Sequence, residues 1–235
     1  DRLLLAIRNN FLYAFVTTPF IMLFGLVFAV MVNSLRRSQL FFRTCFYLPV
    51  ITSWVIVGNV FAYMFNAGGA GLVNYLLKDV LGLLPAYVPW LNRTWTANLV
   101  IWLLGIWKNI GWAMVIYLAG LQGIPRSYYE AAEVDGAGAL RKFFSITLPL
   151  LSPSIFYNLI IGIIGALQTF STALVMTDGG PVNSTTFYVL TLYRRAFEDM
   201  RMGYASAMAW VLMVVTLLLT LVVFWIGNKK VYYEQ

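Results

Sequence analysis

Four stretches of this chain, residues 9–35, 44–77, 143–177 and 202–228, contain no Asp, Glu, Lys or Arg. Uncharged runs of this length leave few architectures open. Crossing about 30 Å of hydrocarbon takes roughly 20 apolar residues as a helix, and a backbone in lipid must satisfy its own polar groups. Together with 96–120, interrupted only by Lys108, the runs predict an all-α integral membrane protein. Five spans are expected, at 11–34, 45–66, 96–120, 153–177 and 204–227. Composition agrees: of 235 residues, 61% are hydrophobic and 11% charged, against about a quarter charged in soluble domains. The net charge of +7 then reads as Lys and Arg flanking spans rather than a nucleic-acid surface. The chain has no histidine, and its single cysteine, Cys45, has no internal partner. No metal site and no catalytic residue are expected.

Loop charge orients the spans. With the polar segment near 130 placed inside, Arg36, Arg37, Arg43, Arg126, Arg141, Lys142, Lys229 and Lys230 are cytoplasmic, and Arg2, Arg8, Lys78, Arg93, Arg194, Arg195 and Arg201 are outside. The balance is narrow. It is tipped by the acid-free loop "LRRSQLFFR" and tail "NKKVYY", and by Glu198 and Asp199, which offset the outer arginines. That orientation puts the C-terminus inside and the N-terminus outside, so one more span is expected upstream. The segment "DRLLLAIRNN" has no signal-peptide layout. One domain is read over 9–227, with 1–8 the end of an outer segment and 228–235 a cytoplasmic tail. In the outer loop 67–95, "GLVNYLLKDVLGLL" is read as an interfacial helix with Trp90 and Trp95 at headgroup depth. The outer loop 178–203 opens on "DGGP", a tight-turn signal.

The most polar long stretch is "YYEAAEVDGAGALRKFFSITLP", Tyr128–Pro149. Pro125 stands at a plausible helix start, and Glu130 and Glu133 are one turn apart. Gly136 and Gly138 then permit a sharp reversal that Cβ-bearing residues resist. The pattern predicts a short helix lying across the cytoplasmic face, a turn and a second short helix. Together they form an acidic and aromatic knob suited to docking a soluble partner.

Within the spans, Gly105, Lys108, Asn109 and Trp112 share one helix face. Asn158, Gly162, Gly165 and Thr169 approximate another, with Gln168 beside it. Small and amide residues on such faces serve helix packing or ligand contact. A charge at mid-span costs about 2.5–3.5 kcal/mol on insertion scales, so Lys108 is read as facing the permeation path.

The order Glu130-Ala131-Ala132, Gly136, Ile146 and Leu148-Pro149 resembles the EAA loop of binding-protein-dependent ABC importer permeases. "LAGLQGIP", "FNAGGAGLVNYLL" and "TDGGPVNSTT" resemble the carbohydrate-uptake branch of that family, the maltose and glycerol-phosphate type. The resemblance runs from about Asn9 to the end. It implies a type I importer permease core, with the loop 121–152 coupling to a separate ATPase through Glu130, Ala131, Ala132, Glu133, Asp135 and Gly136. It further implies a sugar site near mid-membrane at Gly105, Lys108, Asn109, Trp112, Gly162, Gly165 and Ala166, with Gln168 adjoining. The implied partners are a second permease subunit, a cytoplasmic ATPase dimer carrying ATP and Mg, and an extracytoplasmic sugar-binding protein. No cofactor is expected in this chain, and the setting is a bacterial or archaeal cytoplasmic membrane. The alternative is a secondary transporter or channel subunit. It is disfavoured because none of the five runs holds the carboxylate that ion coupling usually needs. An ATPase in this chain is disfavoured because no G-x-x-x-x-G-K-[ST] loop occurs.

Overall fold

A computed structural model describes residues 2–35 and 37–227. Arg36, Lys229, Lys230 and the tail 228–235, all used in the orientation argument, lie outside the described residues. The chain is all-helical among those residues. Three helices are long and apolar enough to cross a membrane unbroken: α1 Arg2–Ser34, α4 Thr94–Gly123 and α9 Met202–Gly227, by the numbering used below. Helix α1 is continuous from Arg2, so residues 2–8 join the first apolar run without a break.

The expected straight span at 45–66 is instead two helices, α2 Gln39–Ile51 and α3 Trp54–Met64, bent by 92°. Thr52 and Ser53 are both extended, with ψ of 148° and 135°. Pro49 in the last turn of α2 lacks an N–H, and the Thr52 hydroxyl donates to the Pro49 carbonyl at 2.6 Å, closing the helix end. Hydropathy registers length of apolar chain and is blind to a change of direction within it.

The expected span at 153–177 is interrupted as well. After the short polar helix α5, Arg126–Val134, a helical segment Ala139–Leu150 leads into α6, Ser152–Leu167, with a 62° bend between them. Helix α6 stops at Leu167, Phe170 leaves helical geometry at ψ −63° with φ −139°, and α7 resumes over Ser171–Met176. Asn10 holds this break open. Its amide donates to the Ala166 and Leu167 carbonyls at 3.2 and 3.0 Å. Its oxygen accepts the Tyr188 N–H, at the start of helix α8, Tyr188–Tyr193. One side chain thus satisfies two carbonyls from one helix end and a donor from another, groups that lipid would leave orphaned. Neighbouring Asn9 donates to the Asn183 and Thr186 carbonyls, fastening the "DGGP" loop, in which Asp178, Gly179, Val182 and Asn183 all take positive φ.

Of residues 71–84, expected as an interfacial helix, 72–80 are helical and the rest are not. A single turn, Leu72–Asn74, runs into a π-helical turn at Tyr75–Val80. The organiser is Asn74, fully buried, which donates to the Asn66, Ala67 and Val88 carbonyls and accepts from Val88 N–H and the Trp90 indole. Trp90 is therefore an internal strut, edge-on to Phe65, whereas Trp95 is 66% exposed.

Helix α4 is the central post. Its N-terminal half packs Val100, Ile101 and Leu104 with Tyr13, Val57 and Phe187, and its C-terminal half packs Ala113, Met114, Tyr117 and Leu118 with Ala29, Val32 and Leu151. Close backbone approach is possible where α4 lacks a side chain. A Cβ at Gly111 would collide with the Phe46 carbonyl of α2, and one at Gly105 with the Tyr13 hydroxyl of α1.

Candidate functional site

A cavity of about 950 Å³ opens between α1, the α2–α3 break, α4, the α6–α7 break and α9. Of the residues expected at a mid-membrane site, Lys108, Asn109, Trp112, Gly162, Gly165, Ala166 and Gln168 line it together. Gly105 does not line it. One turn further out, it packs on Tyr13.

The members differ in what they offer. Gly165 has open space where a side chain would stand, so the wall is wide there by default. At Gly162, by contrast, a Cβ would come within 2.9 Å of the Thr18 methyl, so this glycine brings α6 close to α1. Gln168 and Thr169 reach the cavity because α6 ends beneath them. The Asn109 amide donates to the Gly105 carbonyl of its own helix at 2.8 Å. Trp112 is 37% exposed and presents an aromatic face. Lys108 is 2% exposed, and its ammonium is occupied by the carbonyls of the α2–α3 break.

Sequence reasoning missed the wall built by α1 and α9. Tyr13, Thr17 and Thr18 line the cavity from one side and Ala209 and Thr216 from the other. Thr18 Oγ1 and Thr216 Oγ1 are buried without a hydrogen-bond partner. Trp54 also enters from the start of α3. Hydroxyls in apolar runs were the available signal. The lining as a whole joins amides, hydroxyls and aromatic rings, with Lys108 its only Asp, Glu, Lys or Arg among the described residues. That donor and acceptor mix suits a polyhydroxylated solute.

The second candidate region is the polar loop. Only Ile124 and Pro125 separate the end of α4 from α5, so the loop is attached directly to the post. Helix α5 ends in a Schellman motif. Ala137 N–H donates to the Ala132 carbonyl, Gly136 N–H to the Glu133 carbonyl, and Gly136 takes φ +74°. That left-handed position explains the glycine. Glu133 accepts from Lys142 at 2.8 Å, tying the two arms of the turn, and this contact holds the Glu133 carboxyl below the usual carboxylate range. The Tyr129 hydroxyl meets Thr147 Oγ1 at 3.0 Å, a second tie. Glu130, Ala131 and Asp135 stay exposed, and among the described residues no ion pair engages Glu130. Around them Val134, Leu140 and Phe144 are 89%, 76% and 62% exposed.

Residues 21–229 match the family described as binding-protein-dependent transport system inner membrane component. The chain is 40% identical over 233 residues to the probable ABC transporter permease protein YesP of Bacillus subtilis, covering 98% of this chain and 74% of that one. It is 39% identical over 215 residues to the sulfoquinovosyl glycerol transport system permease protein SmoG of Agrobacterium fabrum, covering 91% of this chain and 68% of that one. The structure superposes with a TM-score of 0.87, at 26% identity, on a chain of a bacterial ABC transporter involved in the import of the acidic polysaccharide alginate, covering 97% of this chain and 80% of that chain.

Proposed function

The chain belongs to the binding-protein-dependent transport system inner membrane components, and from that membership we propose that it forms half of the translocation pathway for a sugar or oligosaccharide in an ATP-driven importer. The observation that carries this reading is the continuity of one element. Helix α4 contributes Lys108, Asn109 and Trp112 to the cavity and passes with a two-residue link into the loop that bears Glu130. A displacement of the loop is thereby a displacement of the cavity wall. The sugar cargo is inferred from the polyol-compatible lining and from the cargo that SmoG and the alginate transporter are named for.

The chain is a transport subunit and not itself an enzyme. ATP and Mg are assigned to a separate cytoplasmic ATPase dimer, docked at the exposed face of α5. There Glu130 would accept charge-assisted bonds from a basic groove, and Val134, Leu140 and Phe144 would be covered. A second permease subunit completes the pathway, and an extracytoplasmic sugar-binding protein delivers cargo to the outer loops, 178–203 included. Nucleic acid has no part in this reading. The expected setting is a bacterial or archaeal cytoplasmic membrane. Alternating access would proceed by rocking of two rigid bundles, and linkage requires that whatever cargo delivery does to ATPase closure, closure does to cargo delivery.

The test is reconstitution in liposomes with each component left out in turn. Uptake should require all of them, and ATPase activity should rise with the liganded binding protein. Glu130→Lys should abolish uptake while the chain remains assembled in the membrane. Sugar uptake by this chain alone on a proton or sodium gradient overturns the reading.

A further inference from the structure

Lys108 raises a problem that the transport reading does not resolve. It is a buried ammonium at mid-span, and the described residues of the spans offer it no carboxylate. A charge there should be neutralised, paired or used. The structure gives it a partner of another kind. Its Nζ donates to the Pro49 carbonyl at 2.6 Å, the Thr52 carbonyl at 2.6 Å and the Val50 carbonyl at 3.4 Å, across 56 to 59 residues of chain. Pro49 and Val50 belong to the last turn of α2 and Thr52 to the extended break that follows, where no helical N–H lies ahead because the backbone turns through 92°. They are also the negative end of the α2 dipole. Three donors meet three carbonyls, of which Pro49 also accepts from the Thr52 hydroxyl, and a positive charge meets a partial negative one. The same ammonium lies 4.8 Å from the centre of the Trp54 ring, the first residue after the break.

We propose that Lys108 is a positioning residue that caps α2 in trans, locks the α2–α3 break to α4, and thereby sets the Val50 and Trp54 face of the cavity rather than contacting cargo. The two other links between these elements agree. Gly111, one turn further along α4, admits the Phe46 carbonyl of α2 into backbone contact, and Val50 and Trp54 both line the cavity. The broken span is therefore gripped by α4 at two successive turns. With its three donors committed, Lys108 offers cargo no free N–H, which leaves recognition on this wall to amides, hydroxyls and aromatic rings. That last consequence rests on the transport reading. The geometric claim does not.

The test reads geometry and needs neither cargo nor ATP. In membranes containing the assembled complex, with Cys45→Ser as background, a single cysteine is placed at Val50 or, as a control on the far wall, at Leu212. Labelling of this chain by a neutral water-soluble maleimide is timed. Lys108→Met removes the donors at similar length. Val50→Cys should then label roughly tenfold faster as the uncapped break frays, while Leu212→Cys stays within about twofold. Lys108→Arg, which restores cationic donors, should bring Val50→Cys back toward the parent rate. If Lys108→Met does not assemble, Lys108→Gln is judged by the same two rates. Unchanged labelling at Val50→Cys in an assembled variant overturns the proposal, as does an equal rise at both positions. Failure of sugar uptake in the reconstitution would leave these rates untouched, so the two readings fail separately.

Discussion

Helices α4 and α9 are both uninterrupted spans, yet half of the most apolar window of α4 is buried within the chain and only 6% of that of α9. The more apolar of the two is the less buried. Helix α4 carries Lys108, Asn98, Asn109 and four glycines, and α9 carries no charged residue at all. In water this ordering would be perverse. In lipid it is expected, because hydrocarbon is as good a neighbour for Leu as another Leu is, and helices associate through close backbone approach and polar contacts. Burial in this molecule is therefore encoded by what an apolar helix lacks: side-chain bulk at Gly105 and Gly111, and indifference at Lys108. Trp210, Leu217 and Trp225 of α9 remain 66%, 53% and 67% exposed.

The contrast is broken most forcefully at the α4–α2 contact. Gly111→Leu inserts a side chain where the Phe46 carbonyl lies against the helix. Neither group is the flexible end of a side chain, so the helices must separate and Lys108 must lose its carbonyls. A loss of about 3 kcal/mol or more is expected, seen as failure to recover the folded chain from membranes or a large drop in Tm. The matched change on α9, Leu217→Ala, should shift stability by no more than about 0.5 kcal/mol, because lipid replaces the missing contacts. Equal damage from the two would mean that α9 is packed as tightly as α4 in the assembled protein.

A smaller effect is expected at Asn10, the polar residue of α1 that does for the α6–α7 break what Lys108 does for the α2–α3 break. Asn10→Leu keeps the branched side-chain shape but removes its polar atoms, which takes the side-chain donor from the Ala166 and Leu167 carbonyls and the acceptor from the Tyr188 N–H. The expected cost is about 1–3 kcal/mol, measured as a fall in Tm. Amide exchange should accelerate over residues 168–172 and at Tyr188, while the C-terminal half of α4 is spared. A uniform change across the chain would instead place Asn10 in general packing.

These two asparagine and lysine clamps also mark where the sequence stopped being legible. The five apolar runs, the acidic turn and most of the cavity face could be read from it, because each depends on residues three to seven apart on one helix. Gly136 could be read because a left-handed turn is a local demand. The breaks at Thr52 and Gln168 could not, although Pro49 stood in plain view, because a break needs distant partners to satisfy its orphaned carbonyls. Those partners, Lys108 and Asn10, lie 56 and 156 residues or more away. Lys108 was read as a group aimed at the path, since burial cost argues only that such a residue must face something polar, and backbone carbonyls qualify. Asn74 and Trp90 escaped for the same reason. An amide inside an amphipathic stretch gives no sign of the loop that will close around it.

The smallest predicted effect lies in the polar loop, where the turn after α5 is held by Glu133 and Lys142 at 2.8 Å. Lys142 lowers the Glu133 carboxyl below its ordinary value by hydrogen bonding and by charge. The sign follows from linkage. A carboxyl whose folded value is lowered adds stability above its unfolded value, and that addition disappears as pH falls through the lowered one. The pair should therefore protect the turn at neutral pH and cease to protect it in acid. Because the Glu133 side chain is 65% exposed, solvent screens the pair, and the expected gain in protection is only about twofold. Amide exchange at Gly136 and Ala137 is the sensitive readout, since their N–H groups close the turn on Glu133 and Ala132. Wild type and Glu133→Gln are compared at each pH, so that intrinsic exchange cancels. Wild type should exchange more slowly at neutral pH and converge with the variant in acid. Equal exchange of the two proteins at every pH would assign the protection to the Schellman bonds alone and leave the ion pair without influence on the turn.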